Sequence, residues 1–428
     1  MKKLLGFALV LMMLISSLVL PALAEEPLQL TMYFPVNVGG DAAKLIDQMT
    51  ADFNAENPDV QVQAVYTGNY DDTVTAIQTA IQGGNAPDLF VSLATQRFTM
   101  ADTKMAMPLD DLIAADPEGQ AFVDDFIDGF MLDSYVDGSI YSIPFQRSTM
   151  VMFYNKDAFK EVGLDPEAPP TTWDEMVEYA QKLTNENRYG VGIALNSGSA
   201  QWAFTGFSLQ NCTNGVGLMS ADGKEVYFNT PENIEALQLW LDLQNKYKCM
   251  APGIVQWTDL PTQFLAGEVA MIYHTTGNLT NIKNNATFDF GVCFLPAGRQ
   301  WGAPTGGGNF YITNGISEER QKAAWEFIKF CCSTERAAQW SIDTGYVATR
   351  ESCYETQLLK DYYADFPQAL VAYQQLPYAQ PELTTYSAAE MWRILNDNIQ
   401  AAVTGEMTAA EALEAAQQQG DDLLFDYQ

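Results

Sequence analysis

The feature that most constrains this chain is the change of hydrophobic period between residues 28 and 93. Leu28, Leu30, Met32 and Phe34 alternate as in a strand with one buried face. Leu45, Ile46, Met49 and Phe53 then recur at helical spacing behind the opening Gly39-Gly40-Asp41. After the turn Asn57-Pro58-Asp59, Val60, Val62, Ala64 and Tyr66 alternate again, and Val74, Ile77 and Ile81 return to a helical face. Gly83-Gly84 ends that helix, and Asp88–Leu93 is a short buried strand. Strands separated by helices cannot pair as hairpins, so this order predicts a mostly parallel sheet covered on both faces. Ligands of such sheets sit beyond the carboxyl ends of the strands, which places Tyr70 and Ser92–Thr95 where a ligand would be.

A second constraint is the stretch IPFQRSTMVMFYNKDAF over Ile143–Phe159. Pro144 forces an extended approach, Gln146-Arg147-Ser148 is polar, and Met150–Tyr154 is an apolar run too short and too aromatic for a helix. Polar groups directly before a buried strand are poised to face a cleft, so the chain is expected to cross here from one lobe to another. Beyond it, Thr172 is placed to cap a helix through Met176, Tyr179 and Leu183. Residues 231–247 form a further helix, and Ala270–Tyr273 a strand that ends in the polar turn His274–Asn278. Gly306-Gly307-Gly308 precedes a strand at Asn309–Ile312, and the helical end closes with Met391–Val403 and a helix begun by the capping box Thr408…Glu411.

With 428 residues the chain exceeds the roughly 250–300 at which one core stops growing, so two domains are expected. Residues 1–24 have the make-up of a cleaved secretory signal: Lys2 and Lys3, the apolar Leu4–Leu20, and Ala22-Leu23-Ala24 at the cut, with no cysteine there to carry a lipid. A formal charge of −32 argues against nucleic acid and anionic membrane as partners. The six cysteines, in an exported chain, leave open both a disulfide framework and buried free thiols.

Catalytic signatures are sparse. His274 is the single histidine, and no G-x-S-x-G, H-E-x-x-H or G-x-x-x-x-G-K-[ST] occurs. With 54 Asp and Glu, a carboxylate pair of the kind glycosidases use cannot be singled out. What remains are loop residues suited to holding a small polar molecule, with Gly306–Gly308 read as a close approach of backbone to ligand.

Several motifs point to a family. Asn54–Asp59 (NAENPD), Gly68-Asn69-Tyr70, Asn85-Ala86-Pro87, Tyr154–Phe159 (YNKDAF), Gly163–Pro166 (GLDP), Thr172-Trp173, Phe264…Gly267…Ala270-Met271 and Thr344-Gly345-Tyr346 resemble the extracellular solute-binding proteins of ABC importers. Gly68-Asn69-Tyr70 with the late Thr344-Gly345-Tyr346 and an arginine resembles the glycerophosphate-binding branch. The resemblance implies an α/β, two-lobed periplasmic-binding-protein fold of type II, with the ligand in the cleft between lobes that close by hinge bending. The expected boundaries are 25–142 plus 276–317 for the first lobe and 143–275 plus 318–428 for the second.

Carried over residue by residue, the resemblance implies ligand contacts at Tyr70, Ser148, Thr275, Gly307, Tyr346 and Arg393, with Trp173 as a stacking platform. It marks two departures, Ala94 where the family has a glutamate and Arg147 where the branch has a small hydroxyl residue. It implies a monomer without cofactor or metal, not an enzyme, which captures glycerol-3-phosphate or a glycerophosphodiester outside the cytoplasmic membrane and presents it to a permease. Two other readings stay open: a neutral-oligosaccharide-binding protein, which would not need Arg393, and a secreted glycosidase.

Overall fold

The structure, a computed structural model, describes residues 26–36, 41–196 and 198–428. The signal segment and the Gly39-Gly40 opening lie outside the described residues. Strands β1 (Leu28–Phe34), β2 (Val60–Tyr66) and β3 (Leu89–Leu93) alternate with helices α1 (Ala42–Glu56) and α2 (Tyr70–Gln82), in the order that the hydrophobic period predicts. β1 runs parallel to both β2 and β3. Asn69 caps α2 through a capping box with Asp72, which fixes where Tyr70 starts.

β4 (Ile143–Asn155) is the crossing strand, buried along its whole length. Its first half pairs with β8 (Ala303–Ile312), and its second half with β6 (Val269–Thr275) and β7 (Phe290–Cys293). β5 (Tyr189–Gly192) lies parallel to β6, and β8 also pairs antiparallel with β3. Hydrogen bonding therefore runs without a break through β2-β1-β3-β8-β4-β6-β5, with β7 beside β4 and β9 (Ala379–Gln380) beside β8. The sheet is mixed rather than mostly parallel. The crossing strands β4 and β8 run in opposite directions because one leaves the first lobe and the other returns to it.

Two large apolar cores flank this crossing. The first holds Leu30, Phe53, Val91, Phe145 and Phe310 together with Trp325 and Phe327 of α6 (Glu318–Cys331) and Trp340 of α7 (Thr334–Thr344). The second holds Met152, Met176, Phe204, Trp240 and Tyr273, covered by α3 (Trp173–Leu183), α4 (Ala200–Asn211), α5 (Pro231–Asn245), α8 (Ala388–Val403) and α9 (Ala409–Leu424). Leu279, Ile282 and Phe290 pack with Val151 and Phe153, on the far half of β4. This packing departs from the boundaries expected from sequence: 276–302 goes with the second lobe and α6–α7 with the first. The polar turn after β6 stays in its own lobe, and the chain returns only along β8.

The capping box Thr408…Glu411 opens α9, and Thr172 accepts from the Glu175 amide at the start of α3, as their sequences predict. All six cysteines are free thiols.

Candidate functional site

The glycines at 306–308 lie inside β8 rather than before it, and each makes room for something. A Cβ on Gly306 would sit 2.7 Å from the Trp202 ring, and one on Gly308 would sit 3.0 Å from the Tyr70 ring. Gly307 has φ +93°, and a Cβ there would collide with the Gln146 carbonyl. The β8–β4 register shifts at Gly308/Asn309, a bulge that turns the strand where the lobes meet.

A cavity of about 360 Å³ opens against these glycines, a size suited to a small solute. The first lobe contributes Asn69, Tyr70, Asp71, Leu93 and Tyr346. Ser148 and Gly306-Gly307 come from the crossing strands, and Thr275 from the end of β6. The second lobe contributes Gln201, Trp202, Trp257, Glu382 and Trp392 among others. The Tyr70 hydroxyl donates to Gln146 Oε1 at 3.1 Å and also meets the Tyr346 hydroxyl; burial, ahead of the nearby phenol, pushes its pKa far up. Thr275 Oγ1 accepts from the Gly277 amide at 3.1 Å, which leaves its O–H to donate elsewhere.

Two of the cavity tryptophans have their N–H groups committed to backbone. Trp202 Nε1 donates to the Thr305 carbonyl at 2.9 Å and Trp392 Nε1 to the Leu383 carbonyl at 2.7 Å. Trp257 stacks on His274 with ring centroids 3.7 Å apart. His274 is fully buried, between the Trp257 carbonyl and the Asn278 amide, and burial lowers its pKa to about 3. It is a neutral structural group and does not line the cavity.

Of the residues implied by the resemblance, Tyr70, Ser148, Thr275, Gly307 and Tyr346 converge on this one cavity. The other four lie outside its wall. Arg393 is exposed and forked between Glu390 at 2.6 Å and Asp397 at 2.7 Å; its helical neighbour Trp392 holds the place in the wall. Trp173 is tied to Gln210 Oε1 at 2.7 Å and packs against Phe207. Ala94 begins a 3₁₀ turn under the Tyr311 hydroxyl, so that Leu93 takes the cavity position. Arg147 is committed to a buried cluster: its Nη2 donates to Asp133 Oδ2 at 2.7 Å and its Nη1 to Asn309 at 3.1 Å, while Arg97 takes Asp133 Oδ1 at 2.7 Å.

The sequence reading missed Trp202, Trp257, Trp392 and Glu382. Trp202 sits in the first turn of α4 and Trp392 just past the first turn of α8, positions available to a reader who asks which helix starts face the crossing strands. Glu382, among 54 acids, carried no such signal. Among the described residues no Lys, Arg or His lines the cavity, and no group of His, Cys, Asp and Glu is arranged to hold a metal ion. No helix of the described residues is long and apolar enough to cross a membrane.

Comparison with known proteins agrees with this geometry. A family model described as bacterial extracellular solute-binding protein matches residues 48–368. The sn-glycerol-3-phosphate-binding periplasmic protein UgpB of Pectobacterium atrosepticum is 30% identical over 408 residues, covering 90% of this chain and 89% of the relative. Its counterpart in Escherichia coli K12 is 29% identical over 417 residues, 92% of each chain. Among solved structures, UgpB from Mycobacterium tuberculosis in complex with glycerophosphocholine superposes with a TM-score of 0.80 at 25% identity, covering 94% of this chain and 98% of that one. The cyclic α-maltosyl-1,6-maltose-binding protein of Arthrobacter globiformis has the same fold, with a TM-score of 0.80 at 23% identity and coverage of 94% and 100%. This chain belongs to the bacterial extracellular solute-binding proteins.

Proposed function

We propose that this protein is the capture component of an ABC importer for a glycerophosphodiester, which it binds without turnover outside the cytoplasmic membrane and delivers to a permease. The observation that carries the reading is the convergence of Tyr70, Ser148, Thr275, Gly307 and Tyr346, far apart in sequence, on one cavity between the lobes. Hydroxyls grouped around a glycine backbone suit a phosphate and a glycerol unit. The relatives named for glycerol-3-phosphate, and the UgpB structure holding glycerophosphocholine, support the same class.

Charge favours the diester over glycerol-3-phosphate itself. A phosphate monoester carries about −1.5 to −2 at neutral pH, a diester only one charge, and among the described residues no Lys, Arg or His stands in the wall to balance the second. A second reading, a neutral sugar or polyol, draws support from the same lack of a cation and from the indole faces of Trp202, Trp257 and Trp392. Thermal unfolding in the presence of glycerophosphodiesters, glycerol-3-phosphate and maltose separates the two. A ligand at 100 times its Kd stabilises by about 2.7 kcal/mol. The proposal expects the diesters to give the largest shift and to be recovered intact. Stabilisation by maltose-type sugars alone would refute it.

A further inference from the structure

Glu382 is out of place for a site that holds only an anion. It is 5% exposed, lines the cavity, and its carboxylate has no hydrogen-bond partner among the described residues. A carboxyl in such a place ionises only at a cost unless a partner arrives with the ligand, so its position in the wall points to such a partner. Its surroundings say what kind. The next residue, Leu383, offers its carbonyl to the Trp392 indole N–H and its amide to Thr205, one helical turn from Trp202 on α4. Both indole N–H groups are thus spent on backbone carbonyls, so the rings can meet a ligand in the cavity only through their apolar, π-bearing surface. A carboxylate beside aromatic faces is a chemistry that selects an organic cation.

Resting on the proposed glycerophosphodiester reading, we propose that Glu382, with the faces of Trp202 and Trp392, holds a cationic head group, a primary or quaternary ammonium, at the far end of the ligand. The two ends of such a zwitterion then find complementary surroundings: hydroxyls and backbone on the glycerophosphate side, an acid and indoles on the other. The guanidinium of Arg147 is held by Asp133 and Asn309 and makes no hydrogen bond to this acid, on which it acts only through its charge.

Protonation gives an independent signature. Burial first, and Asp133 next, hold the Glu382 carboxyl well above the usual range against the pull of Arg147. The other ionisable groups near it are the phenols of Tyr70 and Tyr346, both raised by burial, and the rim acid Asp71. A cation seated on Glu382 favours its ionised form, so binding near neutral pH releases a proton to the buffer.

The test is calorimetric titration of the full protein with glycerophosphocholine, glycerophosphoethanolamine and glycerophosphoinositol, whose head group is uncharged, for the parent and for Glu382→Gln. The expected result is a preference for the two cationic diesters, which the Gln variant loses by roughly tenfold while its affinity for the inositol diester changes less than about threefold. Equal affinity of the parent for charged and uncharged head groups, or an equal loss for all three in the variant, overturns the cation site. If Glu382→Gln does not fold, titration of the parent in two buffers of different ionisation enthalpy decides: proton release with the choline diester but not the inositol diester supports the site, and equal release refutes it. Choline alone, at millimolar concentration, separates the two failures. If no diester binds but choline stabilises the parent and not the variant, the glycerophosphate reading falls and the cation site stands; if choline does neither, the cation site falls too.

Discussion

Trp392 and Arg393 are adjacent in sequence and stand on different faces of α8: the indole closes the cavity, while the guanidinium lies in solvent between Glu390 and Asp397. Successive helical residues are turned by about 100°, so one step in sequence separates a wall residue from a surface ion pair. Arg393→Ala should leave the affinity for any bound solute within about threefold, because exposed pairs contribute at most about 1 kcal/mol. Trp392→Ala removes an aromatic face worth about 2 kcal/mol and should weaken binding roughly 30-fold. Calorimetric titration of both variants checks the pair; a large loss in Arg393→Ala would return the arginine to the site.

The lobes also meet away from the ligand. Phe98, on the short helix Arg97–Asp102 of the first lobe, stacks on Tyr386 of the second with centroids 4.8 Å apart, over Gly223. A Cβ on Gly223 would lie 2.5 Å from the Phe98 ring, at a φ of +69°. Gly223→Ala should therefore oppose closure, lowering affinity by roughly tenfold, the effect of about 1.4 kcal/mol against the closed state. Small-angle scattering at saturating ligand should show a larger radius of gyration than the parent. An unchanged radius and affinity would mean that this contact does not gate closure.

Asp133 pairs with two buried guanidinium groups, Arg97 and Arg147, and also accepts from Thr305 Oγ1 at 3.1 Å on β8. Asp133→Asn keeps the shape and leaves both cations short of a counter-charge, which should cost about 3–5 kcal/mol. Urea unfolding followed by fluorescence measures it. A loss under about 1 kcal/mol would show that Asn309 and the surrounding hydroxyls suffice to hold the arginines.

His274 is held neutral in the folded protein, its pKa lowered by burial to about 3 from 6.5. A group whose folded pKa is depressed in this way binds protons more readily when unfolded, so its stabilising effect is present above 6.5 and is lost as the pH falls toward 3. Between pH 7 and pH 5 the loss amounts to about 2 kcal/mol, on top of whatever the carboxylates contribute. Denaturation midpoints of the parent should fall over this window, and His274→Gln should fall less. Parallel curves for the two proteins would contradict the assignment of a neutral histidine.

The order of strands and helices in the first lobe, the crossing at Ile143–Asn155 and the caps at Thr172 and Thr408 were legible in the sequence. These are local properties: periodicity, a buried run and a side chain that reaches its own backbone. The motifs of the family carried Tyr70, Ser148, Thr275, Gly307 and Tyr346 as far as an expectation. Their meeting is long-range, since β8 must lie between β3 and β4 before Gly307 and Ser148 can face Tyr70. Which face of α8 turns inward, and so the choice of Trp392 over Arg393, followed from its packing with α4 and α9 and not from either residue's chemistry. The same holds for two charged residues. Arg147 beside Ser148 read as a cation at the site, and only the placement of Asp133 and Asn309 took it out of the wall. Glu382 read as one acid among many, and became distinctive once tertiary packing removed it from water without giving it a partner. Burial and counter-charge depend on residues far apart in the chain, and so only the folded structure determined what these two charges do.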